Sequence, residues 1–354
     1  MTNFTLIDKD VTFLRPTRRS NENCSKNPGS INIFAAIRPP SVASGPEKGN
    51  MSKKNKPLWN SHAIKPTYHA VVIGGGIHGL AAAYYLARDH GLRDVAVLER
   101  RYVGYGGSGR NTAIVRAHQR TWENVRLYDE GLRLWPELIR ELDFNMMFNQ
   151  CGNLNLAHGE AAVSALRLQT ATARFMGVRS ELLDAKQCRD LVPQLNISDD
   201  ITYPIFGGMY HPPGGTLRHD AVAWGLAKGA ASRGVHIHQQ TEVIGIDVEN
   251  GRVTGVRTSR ENIKSPRVLI AAGGYGVLVA RLAGIRLPIE TLTIQAMVSQ
   301  PVKPFLHHVV SSGAYHCYCN QSLKGELVTG AHMDPWPNYT TRVKIGRASC
   351  RERV

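Results

Sequence analysis

Apolar residues fall into two textures along this chain. Three short continuous runs, Ala70-Val71-Val72-Ile73, Val95-Ala96-Val97-Leu98 and Val268-Leu269-Ile270-Ala271, read as strands buried on both faces of a parallel sheet. Leu80-Ala81-Ala82-Ala83-Tyr84-Tyr85-Leu86-Ala87, between the first two, has a helical pattern. Elsewhere the period is nearer 3.6 or 2. Val125, Leu127, Tyr128, Leu132, Trp135, Leu138 and Ile139 predict a long amphipathic helix over residues 121–142, with its aromatic stripe in the core. A strand is expected over 151–157, a helix over 160–176, and a second strand region over 201–210 that ends in the turn Pro212-Pro213-Gly214-Gly215. Arg218-His219-Asp220 leads into a helix over 221–233. A strand over 235–238 and a hairpin of 242–248 with 251–256 follow.

The first strand runs directly into Gly74, Gly76 and Gly79, in G-x-G-x-x-G spacing, with Gly75, Ile77 and His78 between them. Gly74 allows a tight turn, Gly76 a close approach of backbone to a diphosphate, and Gly79 close packing of helix on strand. The helix N-terminus offers unpaired N–H groups and partial positive charge to phosphate. The second strand ends in Glu99, about twenty residues past the last glycine, where a carboxylate accepts both ribose hydroxyls. A polar loop, Gly104-Tyr105-Gly106-Gly107-Ser108-Gly109-Arg110-Asn111-Thr112, then replaces the regular strand–helix repeat of an NAD enzyme. The third apolar run meets Ala272-Gly273-Gly274, a second strand-to-glycine turn facing the same diphosphate. Two pieces of nucleotide-binding texture around a mixed region argue for FAD over NAD. The expected fold is α/β: a discontinuous Rossmann-like FAD-binding domain with a parallel sheet (67–140 and 216–287) and a mixed α+β substrate domain (141–215 and 288–342).

The formal net charge of +15 is concentrated at the ends. Residues 1–66 hold 11 Lys/Arg against 4 Asp/Glu, and are rich in Asn, Ser and Pro. They read as a disordered or mis-called extension, with Met51 as a natural start. No arginine-rich helix or basic–aromatic alternation points to nucleic acid, and no apolar run reaches the ~18 residues of a membrane helix. The first twenty residues lack the apolar core of a secretory signal. Six cysteines are scattered without metal-ligand spacing, which fits a reducing, cytoplasmic setting and no metal. Cys317 and Cys319 alternate along an expected strand, so both thiols lie on one face, read as buried and apolar. At the other end, residues 343–354 resemble a translated sequencing adapter, so a non-native tail is expected after Arg342.

Several motifs carry a family resemblance: Val72-Ile73-Gly74-Gly75-Gly76-Ile77-His78-Gly79-Leu80, Gly109-Arg110-Asn111-Thr112, Asn155-Leu156-Ala157-His158, Arg218-His219-Asp220-Ala221-Val222-Ala223-Trp224 and Lys324-Gly325-Glu326-Leu327-Val328. With them the chain, from about Trp59 to Arg342, resembles the FAD-dependent amino acid oxidase (DAO) family, and within it the β subunits of heterotetrameric sarcosine oxidases. The resemblance implies oxidation of a secondary amine such as sarcosine to glycine, a one-carbon unit and hydrogen peroxide. It implies non-covalent FAD on Gly74, Gly75, Gly76, Ile77, His78, Gly79, Glu99 and Arg100. Gly107, Ser108, Arg110, Asn111, Thr112, Val243, Ala272 and Gly273 complete that set. It also implies FMN covalently attached through His219, and α, γ and δ partner subunits, with tetrahydrofolate acting through the α subunit. The helix after His219 disfavours its imidazolium form and so keeps the ring nucleophilic. Arg116 is a candidate for the substrate carboxylate, since a guanidinium suits that anion.

The chain departs from the family pattern in two places. Arg116 is followed by Ala117-His118-Gln119, where the family carries an Asn and a Tyr. The glycine-rich, lysine-bearing segment that closes over the flavin in the family does not follow Arg342. Two alternatives therefore stand beside amine oxidation by a sarcosine oxidase subunit: a truncated or degenerate nucleotide-binding assembly subunit, and another FAD-dependent amino acid oxidase or dehydrogenase.

Overall fold

A computed structural model of the chain describes residues 57–339. The expected extension up to residue 56, with Met51, and the adapter-like tail lie outside the described residues. The packed chain begins earlier than its composition suggests. Ile64 is buried, Trp59 packs against the main core, and Lys65 pairs with Asp94 at 2.8 Å.

Strand β1 (Ala70–Ile73), helix α1 (Ile77–His90) and strand β2 (Val95–Leu98) form the glycine-bearing unit. β3 (Ile114–Val115) and α2 (Trp122–Leu142) follow. The middle region supplies β4 (Asn153–Ala157), α3 (Glu160–Phe175), β5 (Glu181–Asp184), α4 (Ala185–Leu191), β6 (Gly207–His211) and β7 (Gly215–Thr216). The second strand region is thus shorter than expected, because 201–206 stays irregular. Helix α5 (His219–Ala231), β8 (His236–His238), the hairpin of β9 (Val243–Glu249) and β10 (Arg252–Thr258), then β11 (Ile263–Lys264) and β12 (Val268–Ile270) come next. The described part ends with α6 (Gly276–Arg281), β13 (Ile294–Pro301), β14 (Val309–Ser312), β15 (Cys317–Gln321) and β16 (Glu326–Met333).

The three apolar runs and β8 form one parallel sheet in the order β12-β1-β2-β8. Alternation sorts its residues between two cores. Ala70, Val72, Val95, Val97 and Ile237 face α1 and α5, whereas Val71, Ile73, Ala96 and Leu98 pack with Ile246, Val256 and Ile263 of the three-stranded β11-β10-β9 sheet. Each such Val, Leu or Ile side chain contributes roughly 1.5–3 kcal/mol by leaving water. Gly229 lets α5 close on both α2 and α1: a Cβ there would collide with Leu142 Cδ2 of α2 and lie 3.0 Å from Tyr84 of α1.

A seven-stranded sheet, β13-β16-β15-β14-β4-β6-β5, joins the middle of the chain to its last third. Its seam is the parallel pair β14–β4, with Val310 opposite Leu154. Cys317 and Cys319 do share a face, but they are half-buried and line an apolar cavity of about 270 Å³ rather than lying in the core. The α2 stripe also differs from expectation. Val125, Leu132 and Leu138 are buried, yet Leu127 is 68% exposed and Tyr128 is exposed too. Among the described residues no helix is long and apolar enough to cross a membrane.

Candidate functional site

Gly74 has φ +118°, a value that disfavours any side chain, and a Cβ there would strike the Ala271 carbonyl at the end of β12. A Cβ on Gly79 would overlap the Gly74 carbonyl oxygen, so α1 docks onto β1 through that missing side chain. At Gly75 a Cβ would stand 2.8 Å from Glu99, and at Gly76 it would stand 2.9 Å from Ser108 Oγ. The turn from β1 into α1 is therefore a bare backbone surface enclosed by Glu99, Ser108 and the Ala272–Gly273 turn. Ile77 and His78 occupy the first helical positions, with His78 exposed.

Glu99 is 8% exposed and divides its carboxylate between two backbone donors. Gly75 N–H donates to Oε2 and Arg101 N–H to Oε1, each at 2.9 Å. The acid thus shapes the glycine turn as well as ending β2. Beyond it, the Arg100 guanidinium lies 4.0 Å over the Tyr275 ring. Arg100, Arg101, Tyr105, Glu242, Ser259 and Tyr275 line a polar cavity of about 340 Å³, with Val243 next in chain to its Glu242 wall.

The loop of residues 104–112 connects this cradle to two other elements. Ile77 N–H, at the start of α1, donates to Ser108 Oγ at 2.9 Å. The Gly109 carbonyl accepts from His219 Nε2 at 2.9 Å. The Thr112 carbonyl accepts from Asn320 Nδ2 of β15 at 3.1 Å. Asn111 builds the loop itself: its Nδ2 donates to the Gly107 and Ser108 carbonyls, and its Oδ1 accepts from Ala113 N–H. That last bond holds Ala113 at φ 61°, a left-handed conformation costing about 1 kcal/mol or more. Arg110 is 5% exposed, stacks 4.2 Å over Tyr105, and keeps a buried Nε without a hydrogen-bond partner.

His219 is the first residue of α5, and the preceding Arg218 forms an ion pair with Asp220 at 2.6 Å. A carbonyl only accepts, so the bond to Gly109 puts the proton of the neutral ring on Nε2 and the lone pair on Nδ1.

Arg116 belongs to a second cluster. Burial lowers its pKa, and the charged or polar groups acting on it are Tyr128 of α2, Tyr318 of β15 and Arg120, none of them a carboxylate. Tyr318 lies across Gly330 of β16, where a Cβ would collide with its hydroxyl. Tyr318 and Asn320 were not anticipated from the sequence. Their alternation along β15 was the available signal, since it turns both away from the face carrying Cys317 and Cys319.

The family described as FAD dependent oxidoreductase (DAO) matches residues 69–351. The chain is 46% identical over 286 residues to a sarcosine oxidase subunit beta of Rhizobium meliloti, covering 81% of this chain and 68% of that protein. It is 42% identical to a sarcosine oxidase subunit beta of an Arthrobacter species, covering 80% of this chain and 70% of that one. Among solved structures it resembles an L-proline dehydrogenase from P. horikoshii, with a TM-score of 0.72, 28% identity, and coverage of 78% of this chain and 73% of the other.

Proposed function

Since the chain belongs to the FAD dependent oxidoreductase family, we propose that it oxidises sarcosine as the β subunit of a multi-subunit sarcosine oxidase. Sarcosine, oxygen and water would give glycine, formaldehyde and hydrogen peroxide. The observation that carries this reading is the loop of residues 104–112, which ties the glycine cradle, His219 and β15 together through Ser108, Gly109 and Thr112. It is supported by the identity to two proteins named sarcosine oxidase subunit beta.

The cradle suits FAD. It has backbone where a Cβ would intrude, a helix N-terminus for the diphosphate, and a carboxylate with lone pairs left for ribose hydroxyls. Gly74, Gly75, Gly76, Ile77, His78, Gly79, Ser108, Ala272 and Gly273 would hold the diphosphate region, and Glu99, Arg100 and Val243 the adenosine. Gly107, Arg110, Asn111 and Thr112 would form the loop beside the ring system. When bound, the flavin supplies the two-electron oxidation of the amine. Arg116 draws the substrate carboxylate, because burial disfavours its charge and the groups acting on that charge, two tyrosines and another arginine, include no carboxylate.

His219 is the attachment point for a second flavin, FMN, through Nδ1, the nitrogen that the Gly109 bond leaves with a lone pair. The parallel β12-β1-β2-β8 sheet serves the cofactor half (67–140 and 216–287) and the seven-stranded sheet the substrate half (141–215 and 288–342). The partners are α, γ and δ subunits, with tetrahydrofolate taking the one-carbon unit on the α subunit. Cys151, Cys188 and Cys319 are thiols rather than disulfides, which fits a cytoplasmic enzyme. The test is acid precipitation of the chain purified with its partner subunits. One flavin, FMN, should stay in the pellet while FAD is released, and His219→Ala should move all flavin to the supernatant. Acid-stable flavin surviving in His219→Ala would overturn the assignment.

A further inference from the structure

Arg116 and His118, just after β3, and His211 of β6 form a largely buried polar cluster that the proposed chemistry leaves partly unused. Burial lowers the Arg116 pKa, and Tyr128, Tyr318 and Arg120 act on its charge. His118, 4% exposed, sits edge-to-face against His211, with ring centroids 5.1 Å apart. Gln169 of α3 holds the segment by donating to the carbonyls of His118 and Gln119 at 3.3 Å. Asn153, opposite His211 in register, is fully buried, and both its side-chain polar atoms have no partner.

His211 is locked neutral. Its Nδ1 donates to the Arg179 carbonyl at 2.7 Å, and its Nε2 accepts from Ala117 N–H at 3.2 Å. A second ring proton would point Nε2–H at that backbone N–H. His118 has no such lock, for its buried Nδ1 has no hydrogen-bond partner. An imidazolium carries N–H on both nitrogens, so in the substrate-free protein it would set a second cation, with a buried unsatisfied donor, beside Arg116. Burial first, then Arg116 and His211, hold the His118 pKa well below its ordinary value. Around His211 the charged groups are Asp129 of α2, Arg116 and Arg179. The substrate-free cluster therefore carries the Arg116 charge with both imidazoles neutral.

We infer that His118 is the proton-accepting residue of the carboxylate site: as an anion settles on Arg116, one proton is taken up on the His118 ring. This rests on the reading of Arg116 as the carboxylate's partner. The anion does not relieve burial, but it cancels the Arg116 charge that disfavoured a second cation and supplies the opposite charge that favours imidazolium. An opposite charge at contact range shifts a titration by roughly 1–3 units. Between the free and bound titration points, carboxylate affinity rises by up to about tenfold for each unit of pH decrease.

The experiment titrates the purified flavoprotein with acetate, which has no amine proton to confuse the balance, at pH 6 in two buffers of different ionisation enthalpy. The slope of apparent binding enthalpy against buffer enthalpy reads protons taken up per acetate bound. Wild type should take up protons; His118→Asn and His118→Gln should bind acetate without uptake, while keeping the wild-type flavin spectrum. Acetate bound by wild type without proton uptake overturns the role of His118 and leaves Arg116 standing. Uptake persisting in both His118 variants likewise removes His118. Acetate affinity unchanged in Arg116→Gln overturns the Arg116 reading, and the inference with it.

Discussion

Glu99→Gln is the sharpest single change to the cofactor cradle. The glutamate uses both oxygens on backbone donors, Gly75 N–H and Arg101 N–H, in an environment with 8% exposure. Glutamine preserves shape but has one acceptor oxygen; its NH2 would face one of those two N–H groups. Leaving a buried donor unmet costs about 1–3 kcal/mol, which corresponds to a factor of roughly 5–150. In the FAD-free variant the glycine turn can shift and so escape part of that cost. With FAD bound the turn is held in one conformation, so the loss appears in affinity. On the proposed role of Glu99 at the ribose, weaker acceptance of its hydroxyls would act in the same direction. The assay removes FAD and titrates it back at fixed ionic strength, following flavin fluorescence. Glu99→Gln should raise the FAD dissociation constant by about 5–150-fold with little change in secondary structure. Rebinding within twofold of wild type, with an unchanged melting temperature, would refute the assignment of Glu99 as organiser of the turn.

Three further outcomes follow from the same geometry. Gly79→Ala forces a Cβ into the Gly74 carbonyl and should cost about 1–3 kcal/mol or more and reduce FAD retention, whereas Gly131→Ala, in α2 with open space around it, should stabilise by about 0.5–1 kcal/mol; paired thermal melts compare them. His238 shares Tyr68 with His236, and burial lowers its pKa to about 4. The unfolded chain then binds the extra proton between about pH 6.5 and 4, so stability rises with pH across that window and is lost on acidification, by up to about 3 kcal/mol. Denaturant midpoints at pH 7 and 4.5 should show this slope, and His238→Gln should flatten it. Arg116→Gln should raise KM for sarcosine by at least about tenfold with FAD content unchanged, since a charge-assisted pair contributes about 1.5–3 kcal/mol; an unaltered KM would remove Arg116 from the substrate site.

The cofactor unit was legible because its signals are local. β1, the glycine turn, α1, β2 and Glu99 lie within about thirty consecutive residues, and each constrains the next. The return of β12 at Ala272–Gly273 was legible for the same reason. The seven-stranded sheet was not, because its seam pairs Leu154 with Val310 across a gap that no local pattern encodes. Periodicity placed α2 correctly, but it could not say that Leu127 and Tyr128 lack neighbours to cover them. α4 was readable and went unread: Asp184 and Gln187 form a capping box. Asn111 was expected beside the flavin ring, yet its amide is occupied in shaping the loop. The pairing of His118 with His211 depends on tertiary packing, so at the sequence level each is a lone histidine.

Anaerobic addition of sarcosine to the purified flavoprotein, assembled with its partner subunits, tests amine oxidation on this cradle most directly. Bleaching of the visible flavin band, with glycine and formaldehyde formed in equal amounts and hydrogen peroxide released when air is admitted, is the predicted result. A protein that holds FAD but keeps its band unchanged under excess sarcosine would contradict it.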